Sequence, residues 1–426
     1  MKLGDIAELS TGPFGSQLHQ SDYVEEGIPV VMPQDIDSNR RFHDSARIGT
    51  SDYNRLNRHA LRTADIVFAR RGEVDKHAFV HANDLPALCG TGCLRIRVDK
   101  DKALPEFVSY YLSRPESRQY LRTHAVGSNM PNLNTGILSE IEIVLPDIHE
   151  QESIVSLLSS IDAKIETNGK IIAELESLAR TVYDYWFTQF DFPDEQGNPY
   201  RSSGGRMVHD PTLDRDIPEG WKVTAANELV SIDRGISYTA DELSDEGTPL
   251  INLASFNTNA TYKPAGLKHF TGKTKDSKFL SANDLVMCVT QQTPIDPAGA
   301  TDVIAKTFLV PDIYEDSATM SMDVVRLSEQ REGVRFLLNQ MLTRSDYHRY
   351  ASGYASGTKI KHLDVEGALS FPMALPQNDS LIEEYAALSE RWYARISVCL
   401  KESARLTALR DRLLPLLMSG QAVGGR

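Results

Sequence analysis

Two stretches of the sequence, VGSNMPNLNTGILSEIEIVLP (126–146) and SGTKIKHLDVEGALSFPMALP (356–376), are each followed by a long segment of helical periodicity. Identical residues occur in both at one constant offset, namely Gly127/Gly357, Leu133/Leu363, Leu145/Leu375 and Pro146/Pro376. A glycine, a leucine and a closing Leu-Pro that recur in one order indicate an internal duplication. The sequence therefore predicts two modules of the same fold in one chain.

The duplication extends upstream of these stretches in a constant order. The matching pairs are EEGIPVV (25–31) with DEGTPLI (245–251), ADIVFAR (64–70) with NDLVMCV (283–289), CLRIRV (93–98) with MDVVRL (322–327), and FVSYYLSRPESRQYL (107–121) with FLLNQMLTRSDYHRY (336–350). We infer a module of roughly 190 residues that was duplicated and then diverged.

Each module is predicted to be an α+β domain. Short, alternating, β-branched runs separated by turn residues favour a mostly antiparallel or mixed sheet, followed by one short helix near 105–121 or 333–349. The run from Ile137 to Leu145 is interpreted as a last core strand. We place the modules at 1–147 and 221–377, with a Gly-, Pro- and Asp-rich linker at 191–220 that runs as an extended or hairpin connection.

The segments after the two Leu-Pro pairs carry heptad seams, which predict two long helices at 148–190 and 378–418. The first seam steps by four and three through Ile154, Leu158, Ile161, Ile165, Asn168, Ile172, Leu175, Ala179, Val182 and Trp186. The second is looser and runs through Leu388, Trp392, Ile396, Cys399, Leu406, Leu409, Leu413 and Leu417. We expect the two helices to pair as an antiparallel coiled coil with pseudo-two-fold symmetry, which places the modules at opposite ends. Asn168 either fixes the register of this pair or faces solvent where the seam frays.

Bulk composition leaves a nucleic-acid partner open despite a net charge of −14. Residues 191–246 carry a net −8, whereas 40–76 and 263–278 each carry a net +4, and local patches decide whether phosphates bind. No signal peptide, no run of eighteen apolar residues and only four scattered cysteines are present, so we expect a cytoplasmic protein with no membrane partner.

Several motifs, in this order and duplicated, resemble the specificity subunits of type I restriction–modification systems. They are GPFGSQL (12–18), DYVEEGIPVV (22–31), ARRGEV (69–74), CGTGCLRIRV (89–98), MPNLNTGIL (130–138), YDYWF (183–187), IPEGWKV (217–223) and LRDRLLPLLMSGQ (409–421). The resemblance covers essentially the whole chain. One departure is that module one begins at MKLGDIAE without the lead-in IPEGWKV, so its start is expected to be truncated or misassigned.

The resemblance implies a subunit without catalytic activity and with no cofactor of its own. Two target-recognition domains would each read one half of an asymmetric, bipartite target in double-stranded DNA, and the helices would space the half-sites about one DNA turn apart. Two modification subunits, which carry the S-adenosylmethionine-dependent adenine methyltransferase chemistry, would dock around the helices. Restriction subunits, which use ATP and Mg²⁺, would join them.

Duplex recognition needs basic groups for phosphates and forked polar side chains for base edges. Arg70 and Arg71 follow a strand, and Arg114, Arg118 and Arg122 form a stripe on the short helix; both sets could equally be solvated surface charge. The module-one candidates are Gly12, Phe14, Gly15, Ser16, Gln17, Arg40, Arg41, Arg70, Arg71, Lys76, Arg118, Arg122, Asn129, Asn132 and Asn134. The three asparagines suit adenine, but they are also ordinary turn residues.

The module-two candidates differ in chemistry from those of module one, as two unlike half-sites require. They are Tyr238, Lys273, Lys275, Gln291, Gln292, Thr293, Lys359, Lys361 and His362, with Gln291–Thr293 aligned on Arg71–Glu73. Residues proposed for the spacer and subunit interface are Ile154, Leu158, Ile161, Ile165, Asn168, Ile172, Leu175, Val182, Trp186, Leu388, Trp392, Ile396, Leu406 and Leu413.

Other functions find less support in the sequence. A stand-alone DNA-modifying enzyme needs a cofactor loop and an Asn/Asp-Pro-Pro-aromatic motif, and GNPY (197–200) lies in the linker with one proline. His77, His81, Cys89 and Cys93 suggest zinc only weakly, because a strand does not hold the two imidazoles on one site. A coiled-coil scaffold that binds protein rather than DNA remains a second alternative.

Overall fold

The computed structural model describes residues 1–37, 39–43, 45–127, 131–292, 303–314 and 318–420. Two compact units make up the chain, Met1–Glu166 with Ala404–Arg426, and Thr167–Ser403. Each contains one predicted module and parts of both long helices, so we describe them separately. Asn129 and Thr293 among the predicted site residues lie outside the described residues.

The first unit contains two four-stranded sheets. One is antiparallel, in the order Ala7–Thr11, Cys93–Val98, Ile66–Ala69 and His77–Phe79. The other is mixed, in the order Tyr23–Val24, Ala46–Ile48, Ile28–Val31 and Leu88–Cys89, of which the last pair is parallel. The α-helices before the long helix are Leu3–Ile6, Thr50–Arg55, Pro105–Leu112, Pro115–His124 and Thr135–Ser139.

The second unit repeats both sheets and adds short pairings of its own. Its antiparallel sheet has the order Val230–Arg234, Val324–Glu329, Leu285–Cys288 and Thr307–Leu309. Its mixed sheet has the order Leu243–Ser244, Lys268–Phe270, Thr248–Ile251, Ala318–Met320 and Phe279–Leu280. The additional sheets join Met207–Asp210 with Arg215–Pro218, Trp221–Ala225 with Pro372–Pro376, and Thr290–Gln292 with Ile360–Leu363 and Ala355–Ser356. The α-helices are Val334–Met341, Ser345–Ser352 and Val365–Ala368.

The duplication and the α+β class are confirmed, and the linker forms the hairpin Met207–Pro218. The predicted alignment of one strand was wrong by two residues. Val98 lies opposite Ala7 and Glu329 lies opposite Val230, so CLRIRV corresponds to VVRLSE (324–329) and not to MDVVRL.

Two predictions of local structure were wrong in module one. The expected core strand from Ile137 begins instead as the helix Thr135–Ser139, because the Asn134 side chain accepts a hydrogen bond from the Ile137 N–H at 2.9 Å and caps that helix. The single short helix at 105–121 is two helices, and Pro115 stands in the first turn of the second. The helix expected near 333–349 in module two is likewise two helices, Val334–Met341 and Ser345–Ser352.

The two long helices are Ile148–Tyr183, prolonged by a π-helical turn Asp184–Thr188, and Ser380–Met418. We call them the first and second spacer helices. In the first unit Asp162 pairs with Arg410, and in the second unit Asn168 pairs with Glu402 while Ala179 accepts from Tyr385. As residue numbers increase along the first spacer helix, the residue numbers of the partners on the second decrease, so the two helices pair antiparallel, as predicted.

The seam of the first spacer helix is confirmed, since its ten predicted positions are all buried or half-buried. The Asn168 side chain is fully buried within it and donates to Glu402 and Ser403, which removes the interpretation of a frayed, solvent-facing residue. On the second spacer helix Leu409 was assigned wrongly: it is exposed, and the neighbouring Arg410 faces inward. No described helix is long and apolar enough to cross a membrane.

Candidate nucleic-acid interface

Loops that follow or precede the central strands of each antiparallel sheet meet at one edge of that sheet. In the first unit Thr11 lies opposite Leu94 and Ala69 opposite Cys93, so the loops leaving the first and third strands emerge together. We call residues 12–17, 70–76, 126–127 and 131–132 the first loop edge. The corresponding residues of the second unit, 235–239, 289–292 and 355–362, form the second loop edge.

Gly12 and Gly235 hold equivalent places on the two edges. Their N–H groups donate to the carbonyls of Cys93 at 3.0 Å and Val324 at 3.2 Å. A Cβ atom on either glycine would lie 2.0 Å from a backbone oxygen, that of Gly90 or Ser321. Gly12 therefore allows close backbone packing, and its N–H already has a hydrogen-bond acceptor within the protein.

A short hairpin completes each edge with matching hydrogen bonds. Asn132 bridges both Val126 and Arg71, and His362 pairs with both Ser356 and Thr290. The N–H groups of Leu133 and Leu363 each donate at 2.9 Å to the carbonyls of Arg70 and Val289. Arg71 therefore corresponds to Thr290, and the earlier alignment with Gln291 was off by one residue.

At the first loop edge the structure brings together Arg71, Asn132 and the tip of the Gly12 loop. Phe14 is 56% exposed, Gly15 and Ser16 are exposed, and the Gln17 side chain folds back to accept from the Phe14 N–H at 3.2 Å. Arg71 is exposed and makes no ion pair with the described residues. The Arg70 Nε donates to Asn132 Oδ1 at 3.1 Å and to the Leu133 carbonyl, so Arg70 positions the hairpin and leaves the Asn132 amide nitrogen available.

Other cations proposed for module one form ion pairs or hydrogen bonds within the protein, and their role towards DNA stays a prediction. The Arg40 guanidinium donates to Asp162 at 2.7 Å and to Ser109 at 2.9 Å and stacks on the Tyr110 ring, so it joins the module to the first spacer helix. Arg41 pairs with Glu166 on the same helix. Lys76 pairs with Glu73 and Arg122 with Asp75, although both cations remain partly exposed.

The arginines of the expected stripe lie in three different surroundings and do not form one exposed row. Arg114 precedes the second helix and stacks on Tyr111, while the Arg118 Nε is buried without a hydrogen-bond partner among the described residues. Burial, followed by the charges of Arg40 and Arg118, lowers the pKa of the adjacent His77 to about 3. His77 is therefore neutral in the core. Separately, the Asn134 side chain caps the helix Thr135–Ser139.

The second loop edge is basic. Lys359 and His362 are exposed on its hairpin, Lys361 is half-buried, and Tyr238 is a half-buried residue whose pKa is raised by burial and by Asp323. Lys273 and Lys275 are exposed on a neighbouring segment, which the Lys278 Nζ ties to the Arg234 carbonyl at 2.7 Å.

Gln291 was proposed as a base reader, and the structure gives its side chain a role inside the module. Its side chain is 3% exposed and accepts from the N–H groups of Val303 and Ile304 at 2.9 and 3.0 Å, so it holds the chain inside the module. The backbone of Gln292 lies in the strand Thr290–Gln292, and its side chain lies outside what the structure describes.

Sequence reasoning missed exposed apolar side chains at and beside the second edge, namely Ile360 on its hairpin and Met322 next to it. Met322 is 58% exposed beside Ser237, which donates to its sulfur. The two-residue error in strand alignment had placed Met322 inside a strand, so its exposure gave no signal. Within the described residues no group of three or more His, Cys, Asp or Glu side chains is placed to hold a metal ion.

Residues 1–177 match a family model described as the type I restriction modification DNA specificity domain. Over these residues the chain is similar to that family. It is 23% identical over 433 aligned positions to the type I restriction enzyme MjaIX specificity subunit of Methanocaldococcus jannaschii, covering 99% of this chain and 92% of that protein. It is 28% identical to the HindI specificity subunit of Haemophilus influenzae over 31% of this chain and 29% of that one.

A solved structure has a similar fold. The S subunit of a type I restriction–modification system from M. genitalium superposes with a TM-score of 0.56, covering 98% of this chain and 95% of that one. At 14% identity the likeness concerns the fold alone.

Proposed function

We propose that this protein is the DNA-specificity subunit of a type I restriction–modification complex and reads an asymmetric, bipartite duplex target. The observation that carries the proposal is the pair of loop edges. Both are built on the same backbone frame, with equivalent glycines and hairpins, yet they present different exposed side chains. Two edges with the same backbone structure but different exposed side chains would recognise two half-sites of different sequence.

The chemistry of each edge suggests how the DNA is read. Arg71 can bond a guanine edge bidentately, and the Asn132 amide can donate to an acceptor on a base. At the second edge Lys359 and His362 offer donors, while Lys273 and Lys275 suit phosphates. Binding should weaken steeply with salt because each phosphate contact releases counterions.

The partners belong to the proposal as well. We infer that two modification subunits, which supply the methyltransferase chemistry with S-adenosylmethionine, and the restriction subunits, which use ATP and Mg²⁺, assemble around a non-catalytic specificity subunit. Exposed apolar side chains on the spacer helices, among them Leu157, Leu178 and Val398, support docking there.

The proposal is tested by selecting bound sequences from random duplexes with the specificity subunit and its cognate modification subunit. We expect two separate blocks of specified bases. Arg71→Ala should relax the preference at one block only and cost about 1–3 kcal/mol there. Lys100→Ala, an exposed cation at the other end of the Cys93–Val98 strand, serves as the matched control and should leave both blocks unchanged. A selection without sequence preference, or equal effects of the two variants, would exclude the proposal.

A further inference from the structure

A cavity of about 50 Å³ in the second unit lies between the module and the spacer helices. Its lining includes Glu176, Ala260, Tyr262, Asn339, Gln340 and Tyr393. One water molecule requires roughly 10–15 Å³ by this measure, so the cavity admits a small group of several atoms.

In the first unit the corresponding space is filled by the guanidinium of Arg40. Arg40 and Ala260 are equivalent, since both have a φ of 61° and lie in turns closed by the bridges Ile36–Phe42 and Phe256–Tyr262. The Arg40 guanidinium contacts Ser109 at 2.9 Å and Asp162 at 2.7 Å and lies 3.6 Å above the Tyr110 ring.

Module two keeps polar walls around the space but places alanine where module one has arginine. Ser109 and Asn339 are equivalent, because Ser109 contacts His77 and Asn339 contacts Thr307 at matching strand positions. The next residues, Tyr110 and Gln340, are equivalent in turn. Asn339 and Gln340 donate amide N–H groups to the Tyr393 hydroxyl at 2.9 and 3.0 Å.

The cavity wall also carries a carboxylate, Glu176, whose charge is only partly offset by Arg180 on the same wall. Glu176 forms no hydrogen bond or ion pair with the described residues, although Arg180 lies one turn along the same helix. Burial raises the pKa of Glu176 to about 7, and the charge of Arg180 offsets this only in part. A cation bound against the carboxylate would favour its ionised form.

We propose that this cavity binds a guanidinium group, with the Glu176 carboxylate as its counter-ion. A guanidinium is a planar fork of five N–H donors that pairs with carboxylates and stacks on aromatic faces. Glu176 and the Gln340 side-chain oxygen are acceptors on the cavity wall, and Tyr262 provides an aromatic ring. This site is separate from the loop edges and does not depend on the proposed reading of DNA.

The test uses the full-length protein and methylguanidinium chloride, with methylammonium chloride at equal concentration as the point-charge control. Calorimetry should detect binding of methylguanidinium, and the melting temperature should rise by about 2–5 °C at a concentration roughly ten times the dissociation constant. Glu176→Gln should weaken binding by about tenfold or more. Glu174→Gln, an exposed residue two positions away, is the matched control and should bind as the parent does.

A second variant fills the cavity from within. Ala260→Arg recreates the residue of module one at the same backbone conformation, so it should abolish methylguanidinium binding. Binding that persists in folded Ala260→Arg, or that Glu176→Gln leaves unchanged, would place the ligand elsewhere and overturn the proposal. Equal stabilisation by methylammonium would overturn the assignment to a guanidinium.

Discussion

Asp162 shows how single residues join a module to the helices. Its carboxylate accepts from Arg40, Tyr110 and Arg410 at 2.7–2.9 Å, and both arginine side chains are nearly buried. Burial by itself raises the pKa of Asp162, but the charge of Arg40 and the hydrogen bonds from Arg410 and Tyr110 outweigh it and lower the pKa. The cluster therefore works with an ionised carboxylate and two buried cations.

Removing that carboxylate should destabilise the protein strongly. Asp162→Ala leaves two buried guanidinium groups without their counter-ion, which costs about 3–5 kcal/mol of unfolding free energy. Because the folded-state pKa is lowered, the contribution of Asp162 is present at neutral pH and is lost as the pH falls through that lowered pKa. Thermal unfolding against pH measures both effects.

The matched control for Asp162 is Glu140→Ala. Glu140 pairs with Lys2 on the surface, where an ion pair contributes about 0–1 kcal/mol. A loss of stability in Asp162→Ala no larger than in Glu140→Ala would contradict the proposed role of the cluster.

Glu176 gives the opposite dependence on pH. Its folded-state pKa of about 7 lies above the ordinary 4.5, so the folded protein holds a proton that the unfolded chain has released. Stability should therefore fall as the pH rises from about 5 to about 7. The groups around it are Arg180 and the Tyr393 hydroxyl, whose pKa is raised by burial and which stays neutral throughout.

Glu176→Gln should remove this part of the pH dependence and Glu174→Gln should retain it. The measurement is the melting temperature of each variant across that pH range, compared with the parent so that other titrating groups cancel. Parallel curves for the parent and Glu176→Gln would show that Glu176 is ionised and solvated in the folded protein.

At the scale of elements, periodic patterns were predicted well and short apolar runs were not. The seam of the first spacer helix extends over many turns, so ten positions together determine which face of the helix is apolar. The run Ile137–Leu145 was predicted as a strand, but its first residues belong to the helix Thr135–Ser139. That helix depends on a cap from the Asn134 side chain, which was proposed to contact DNA.

Alignment of the two modules shows the same limit. Identical residues fixed the offset of the closing stretches, whereas the strands near Cys93 and Val324 were misaligned by two residues because loops of unequal length precede them. The engaged arginines, such as Arg40, could not be recognised from sequence, because their partner Asp162 lies 122 positions away along the chain.

Asn168 places a buried polar side chain in the otherwise apolar seam of the first spacer helix. Its amide nitrogen donates to Glu402 and Ser403, but its buried oxygen has no hydrogen-bond partner among the described residues. A buried unsatisfied oxygen costs about 1–3 kcal/mol. Asn168→Leu should therefore raise the unfolding free energy by about 1 kcal/mol, with relaxed choice of register.

Thermal unfolding distinguishes this outcome from simple damage to the core. Ile161→Ala, at a buried seam position, is the reference for a lost apolar side chain and should cost about 2–5 kcal/mol. A loss of similar size in Asn168→Leu would mean that the hydrogen bonds of Asn168 contribute more than its unpaired oxygen costs.

At the scale of the whole molecule, the two spacer helices must keep matching lengths between their contacts. In the second unit Asn168 contacts Glu402 and Ala179 contacts Tyr385, so two contacts tie the helices together at two places. Seven residues inserted into the first helix between Asn168 and Ala179 would increase the distance between these two residues along the helix by about 10 Å. Both contacts then hold only if the second helix is lengthened by the same amount between Tyr385 and Glu402.

We therefore expect the single insertion to lower the melting temperature and the double insertion to restore it. If the paired helices set the gap between half-sites, the double insertion should also lengthen the gap selected from random duplexes by about three base pairs, at 3.4 Å per base pair. The base preference within each half-site should stay unchanged, because the loop edges are untouched. A restored melting temperature with an unchanged gap would separate the two ideas: the helices would pair as described, but something other than their length would determine the spacing of the target.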